Sequence, residues 1–227
     1  MPSLSRFNLQ KLRTRFLTAI VVAPVSLYSI YAGGWLFWLL LAVFFVLSQR
    51  EWFALSTKLP QRVIFYPLGV LYLCLCYMAF FSIGDDKNAQ AVLLLVMVIA
   101  SDVGAYFFGK ILGGPKMAVS ISPNKTWAGL AGALLCPAIV MVVFDLVFMA
   151  DLHKFELYYV VIYFVSGALI GLSSQIGDIL VSYMKRKAAV KDTGSILPGH
   201  GGVLDRIDSL LLASLAFFII EYVLRYV

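Results

Sequence analysis

Charged side chains make up only 13% of the 227 residues, whereas 62% are hydrophobic. So thin a polar coat excludes a water-soluble globular domain, because one core of this size cannot hide that much apolar surface. Cysteine is almost as scarce. Cys74, Cys76 and Cys136 lie inside apolar runs and lack metal-ligand spacing, which leaves them as packing thiols that say little about redox compartment. No internal repeat relates two halves of the chain, and this argues against a transporter built from paired, discontinuous helices. The basic start before the first apolar run lacks a small-x-small cleavage site, so that run is read as a retained helix rather than a signal peptide.

What is present is a succession of long apolar runs. A helix needs about 20 such residues to cross the hydrocarbon, and barrel strands would be about half as long and would alternate. The runs predict an all-α, polytopic integral membrane helix bundle of about seven transmembrane helices, over residues 16–32, 35–50, 63–83, 89–110, 125–149, 156–183 and 205–226. Residues 1–227 form a single transmembrane domain in this scheme. Residues 1–88 are generic helices, and 89–227 form a catalytic region with longer loops at 111–124 and 184–204.

Positive charge gathers on one side. Arg6, Lys11, Arg13, Arg15, Arg50, Lys58, Arg62, Lys110, Lys116, Lys125, Lys185, Arg186, Lys187, Lys191 and Arg206 flank the N-terminus and the longer loops. Only Lys87, Lys154 and Arg225 fall on the other side. Cytoplasmic loops carry the excess of Lys and Arg, so the N-terminus is expected inside. The net charge of +6 is then mostly topology and requires no nucleic-acid partner. Such a face would also draw anionic headgroups and nucleotides.

Asp102 and Asp178 lie within apolar runs, where an ionised carboxylate is costly unless paired, hydrated or metal-bound. Each precedes a loop lysine, Lys110 or Lys185, at a spacing that sets it roughly 10–12 Å below the basic border. Two acids at like depth predict a polar cavity open to the cytoplasm. Asp145, Glu221 and Glu51 are read instead as interfacial or locally paired. Gly167, Gly171, Ser174 and Asp178 share one helix face, where small residues admit a neighbouring helix or an acyl chain.

The stretch Ser182–Asp208 is the most polar of the chain. Lys185, Arg186, Lys187 and Lys191 supply positive charge, and Gly194, Gly199, Gly201 and Gly202 permit a tight backbone that can offer N–H groups to phosphate. Asp205 and Asp208, at i and i+3, share a face in the first turn of the last helix. Polyphosphates need cations, and Mg²⁺ needs carboxylate and phosphate oxygens. The combination suits phosphoryl or nucleotidyl transfer, in which positioning and charge neutralisation dominate. Upstream, Ser122 is read as an N-cap, with Pro123 in the first helical turn and Lys125 and Thr126 following, an arrangement that can bind phosphate. Gly104-x4-Gly109-Lys110 imitates a P-loop, but Ile111 stands where Ser or Thr would bind Mg²⁺.

Ser182-x-Met184-Lys185-Arg186, Lys191-Asp192-x-Gly194 and Leu197-Pro198-x-His200-Gly201-Gly202-Val203-x-Asp205-Arg206-Ile207-Asp208 together resemble the signature of the phosphatidate cytidylyltransferases. Gly177-Asp178, Ser101-Asp102 and Ser122-Pro123-Asn124-Lys125-Thr126 are similar to the same family. The resemblance implies that CTP and phosphatidate react to CDP-diacylglycerol and pyrophosphate in phospholipid biosynthesis. It implies Mg²⁺ held by Asp178, Asp205 and Asp208, in some members with a monovalent cation such as K⁺ beside it. Asp178, Lys185, Asp205 and Asp208 are then the candidate catalytic residues. Asp102, Ser122, Lys125, Thr126, Arg186, Lys191, His200, Gly201, Gly202 and Arg206 are candidate substrate contacts, with His200 touching phosphate, donating a proton or bracing the loop. His153 is read as solvated. The expected setting is a bacterial inner membrane with the site facing the cytoplasm, among membrane lipids, and a homodimer is left open. The rival activities are cytidylyl transfer to another lipid phosphate, such as an isoprenoid ether lipid, and lipid phosphorylation.

Overall fold

The computed structural model describes residues 20–86, 88–148, 157–199 and 201–225. Its helices are α1 (Ile20–Ala32), α2 (Gly34–Ser56), α3 (Arg62–Asp86), α4 (Asn88–Ile111), α5 (Trp127–Phe148), α6 (Leu157–Lys187) and α7 (Leu204–Leu224). Six of them, α2 to α7, are long and apolar enough to cross a membrane. The described part of α1 is shorter, and its expected start at residue 16 lies outside the described residues. Within the most apolar window of each span only 28–39% of residues are buried inside the protein. The remaining Leu, Val, Phe and Trp side chains face outward, as lipid-solvated helices require. The chain is therefore an all-α, polytopic integral membrane protein.

Three expectations about element ends are corrected. Helix α2 does not stop at residue 50 but runs to Ser56, because Trp52 and Leu55 are buried and extend its inner face. Helix α6 runs to Lys187, so Lys185, Arg186 and Lys187 form its last turn rather than loop. Cations there complement the negative end of the helix dipole. Ser122–Thr126 does not open a helix. It is β2, paired antiparallel with β1 (Lys116–Ala118) in the register Lys116↔Thr126 and Ala118↔Ser122. Pro123 is tolerated there because a two-stranded ladder consists of edges. The N-cap of α5 is Thr126, whose Oγ1 accepts from Gly129 N at 3.0 Å, and not Ser122.

The described chain divides into two compact units. The first comprises residues up to Cys74 together with Met184–Ile207. In it, Trp52 of α2 donates from Nε1 to the Phe65 carbonyl at 3.1 Å, and its indole lies where Gly69 of α3 has no Cβ.

The second comprises Leu75–Tyr183 and Asp208–Val227. Its helices close through small residues. Gly104 of α4 and Gly132 of α5 face each other's carbonyls, and Gly109 lies against Thr126 and Gly129. The spacing that imitates a P-loop is thus a packing stripe. Gly167 and Gly171 of α6 pack on Ala133, Pro137 and Ala138 of α5, so a helix rather than an acyl chain occupies that face. Because a Cβ on Gly132 would enter the Gly104 carbonyl and the Phe108 side chain, Gly132→Ala is expected to cost about 1–3 kcal/mol. A lowered thermal midpoint in detergent is the readout, and an unchanged midpoint would contradict the packing.

Candidate active site

In the second unit, α4, β2 and α6 bring Asp102, Lys125 and Asp178 around a cavity of about 220 Å³, also lined by Tyr106, Asn124 and Gln175. The hairpin sets Lys125 near the end of β2, one residue before the cap of α5, so its long side chain reaches α6. Lys125 Nζ lies 2.8 Å from Asp178 Oδ2 and donates to Gln175 Oε1 at 2.8 Å and to the Gln175 carbonyl at 3.3 Å. Gln175 Nε2 in turn contacts Ser101 Oγ and Asp102 Oδ1, each at 3.4 Å. Ser182 Oγ donates to Asp178 Oδ1 at 3.1 Å, one helical turn on.

This is a connected polar network inside apolar helices, where an unpaired acid would be penalised. One ammonium serves Asp178 directly, and Gln175 links it to Asp102. Gly177 lets α6 approach the backbone of Asp208 on α7, since a Cβ there would meet the Asp208 carbonyl. Asp208 is itself buried, with Oδ1 accepting from Ser209 N at 2.9 Å.

The first unit holds the Gly-rich loop. Asp205, at the start of α7, is the acceptor at its centre. Lys185 Nζ lies 2.8 Å from Oδ1, while Thr193 N at 2.8 Å, Thr193 Oγ1 at 3.0 Å and Gly202 N at 2.9 Å all donate to Oδ2. Gly201 has φ 87° and a Cβ there would crowd Asp205 Oδ2, so a residue without a side chain is required. Its carbonyl accepts from Leu197 N at 3.0 Å and closes the turn. Gly202 is equally constrained, because a Cβ would enter Thr193 Oγ1 and Glu51 Oε2. The Gly202 N–H, expected to be turned to phosphate, is in this arrangement turned to Asp205. Arg186, Lys191 and Arg206 are exposed.

Of the sequence-predicted residues, Asp102, Lys125, Thr126 and Asp178 line one cavity. Lys185 from the last turn of α6 and Asp205 from the first turn of α7 meet beside Gly201 and Gly202 of the loop. Ser122 begins β2 and does not line the cavity. His200 and His153 lie outside the described residues. Among the described residues, no three His, Cys, Asp or Glu side chains are gathered as a metal-ligand set; Asp178 and Asp205 each hold a lysine ammonium instead.

Three residues escaped sequence reasoning. Gln175 bridges the intramembrane acids, and only its place three residues before Asp178 hinted at this. Thr193 and Glu51 are joined across 142 residues by a 2.8 Å hydrogen bond, and no local pattern announces it. Glu51, read from the sequence as interfacial or locally paired, is neither: it is 3% exposed and accepts from Thr193, Val203 and Leu204. Glu221 does pair locally, with Arg225 at 3.1 Å, and also accepts from Gln90 at 2.7 Å.

A membrane bundle with acids, lysines and a Gly-rich loop defines a class, and comparison with known sequences agrees. The profile of the cytidylyltransferase family matches residues 56–224, and the chain belongs to that family. Within it, the chain stands with the phosphatidate cytidylyltransferases. That of Helicobacter pylori strain J99 is 39% identical over 214 residues, covering 90% of this chain and 76% of the relative. That of Rickettsia conorii is 32% identical over 210 residues, 91% of this chain and 90% of the relative. That of Bacillus subtilis is 34% identical over 191 residues, 82% of this chain and 69% of the relative.

Proposed function

We propose that this membrane enzyme transfers the cytidylyl group of CTP to phosphatidate, giving CDP-diacylglycerol and pyrophosphate, at a site facing the cytoplasm of a bacterial inner membrane. The observation that carries the proposal is the convergence of Asp102, Lys125, Gln175 and Asp178 on one cavity within lipid-solvated helices. The proposal places the reacting phosphates of the two substrates at this cavity.

The lipid phosphate is a monoester, already ionised at neutral pH, and needs no strong general base. One of its oxygens forms a bond to the α-phosphorus of CTP, and the bond from that phosphorus to the bridging oxygen of the β-phosphate breaks. Pyrophosphate leaves with the electron pair. Lys125 and Lys185 each sit on a carboxylate at 2.8 Å. Drawn towards a phosphate oxygen, the Lys125 ammonium would neutralise charge there, and Lys185 is proposed to hold phosphate as the family signature implies. Arg186, Lys191 and Arg206 supply the exposed positive charge that collects CTP, and His200 is proposed to contact phosphate.

Asp178, Asp205 and Asp208 are proposed to hold Mg²⁺, with a monovalent cation such as K⁺ beside it. Carboxylates are the donors that a divalent ion takes, and binding would require Asp178 and Asp205 to exchange their lysine ammonium groups for it. When bound, the divalent ion supplies charge neutralisation on the triphosphate. The net positive charge requires no nucleic-acid partner, and a homodimer is compatible with this account.

The test is turnover by purified protein in micelles, comparing phosphatidate with an isoprenoid ether lipid phosphate, with and without chelation of divalent ions. Phosphatidate is expected to be preferred, and EDTA is expected to stop the reaction until Mg²⁺ is restored. Preference for the ether lipid would replace the acceptor. Full activity in EDTA would remove the metal.

A further inference from the structure

We infer that Glu51 is a positioning residue for the reaction, acting through Thr193 and Asp205 on the Gly-rich loop. Glu51 precedes the residues that match the family, 56–224, and it stands on α2, remote in sequence from the loop. Its carboxylate is nevertheless enclosed by loop groups. Val203 N donates to Oε1 at 2.9 Å, Leu204 N to Oε2 at 2.9 Å and Thr193 Oγ1 to Oε2 at 2.8 Å. The two backbone donors are free N–H groups at the start of α7, which an anion satisfies well. Glu51 thus does for α7 what a local N-cap does elsewhere, from another helix.

Thr193 makes the connection directional. Its Oγ1 lies 2.8 Å from Glu51 Oε2 and 3.0 Å from Asp205 Oδ2, and one hydroxyl proton is shared between two carboxylates. The other oxygen of Asp205 holds Lys185. The position of Glu51 is therefore passed to Thr193, then Asp205, then Lys185 through hydrogen bonds of 2.8–3.0 Å. The loop is shaped to admit this carboxylate, since a Cβ on Gly194 or Gly202 would collide with it. A carboxylate used only to fill a core would be replaceable by an apolar side chain. This one meets three donors, and without it the Val203 and Leu204 N–H groups would be orphaned while Thr193 kept only Asp205.

The inference rests on the proposed use of Lys185 and Asp205, and its test separates the two. Purified Glu51→Gln and Glu51→Ala are compared with wild type for kcat, for KM of CTP and of phosphatidate, for thermal midpoint, and for hydrogen exchange over residues 190–207. Gln keeps the shape but sets an amide donor against a backbone donor. Folded Glu51→Gln is expected to lose about 100-fold in kcat, the scale of a roughly 1 Å misplacement, with smaller changes in KM and faster exchange at Thr193, Val203 and Leu204. Thr193→Val is expected to lose activity in the same direction, and Thr193→Ser, which keeps the hydroxyl, to recover most of it. Wild-type kcat in folded Glu51→Gln would overturn the inference. So would equal activities of Thr193→Val and Thr193→Ser, which decide the matter if the Glu51 variants do not fold. Should wild type make no CDP-lipid, the assigned reaction fails, while the exchange data still show whether Glu51 holds the loop.

Discussion

Asp178→Asn is expected to fold and enter the membrane normally but to turn over about 10²–10³-fold more slowly, the range seen when one preorganised electrostatic group is removed. The change is nearly isosteric: the single amide oxygen can stay with Lys125, while the NH2 group faces the Ser182 hydroxyl, which can accept from it. What disappears is the formal negative charge at the one acid that both faces the cavity and pairs with Lys125. If that charge positions a cation against the triphosphate, kcat falls. If it only steadies Lys125, Gln175 still holds the ammonium through Oε1 at 2.8 Å and activity is largely kept. Rates measured on detergent-purified, monodisperse variant separate the two outcomes, and near-normal turnover would remove Asp178 from the chemistry.

Lys125→Met is the complementary experiment, with an expected loss of about 10²-fold in kcat/KM. Methionine matches the length of the lysine stem but leaves Asp178 without its counter-charge. Because Asp178 is one-third exposed, the stability cost is expected at about 1–2 kcal/mol, below that of breaking a fully buried pair. Combining Lys125→Met with Asp178→Asn removes both charges of the pair and leaves the net charge of the cavity as it was, with Asp102 still on its wall. The double variant is expected to regain the lost stability without regaining turnover. Recovery of both together would mean that the pair serves packing alone, and Lys125→Arg should retain more activity than the methionine variant.

These expectations rest on features that differ in how far the sequence discloses them. Long apolar runs disclosed the spans within a few residues, because solvation by lipid demands both length and composition at once. The end of α2 was hidden by Arg50 and Glu51, whose charges imitate a membrane border. Only the buried neighbours Trp52 and Leu55 show that the helix continues. The hairpin over Lys116–Thr126 was hidden for another reason. Strands of three and five residues are too short for a period of two to register. Pro123 then looked like a helix start, although the capping oxygen belongs to Thr126.

The candidate site shows the same contrast. Asp102 and Asp178 were legible one at a time because an acid in an apolar run is expensive, and Lys125 was legible through the family signature. Gln175 was not, since an amide in a helix carries no comparable penalty to draw notice. The clasp formed by Glu51, Thr193 and Asp205 depends on contacts across 142 and 12 residues, which local periodicity cannot encode. The glycines around it were read as permitting a tight backbone that offers N–H groups to phosphate. Their partners at Gly194 and Gly202 are carboxylate and hydroxyl side chains of the protein itself.

The central claim is tested most directly by following CTP labelled in its α-phosphate, incubated with phosphatidate, Mg²⁺ and the purified protein in micelles. The account predicts labelled CDP-diacylglycerol and one pyrophosphate released per lipid formed, only when phosphatidate is present. Folded protein that leaves the lipid unlabelled, or that moves the γ-phosphate instead, would contradict it.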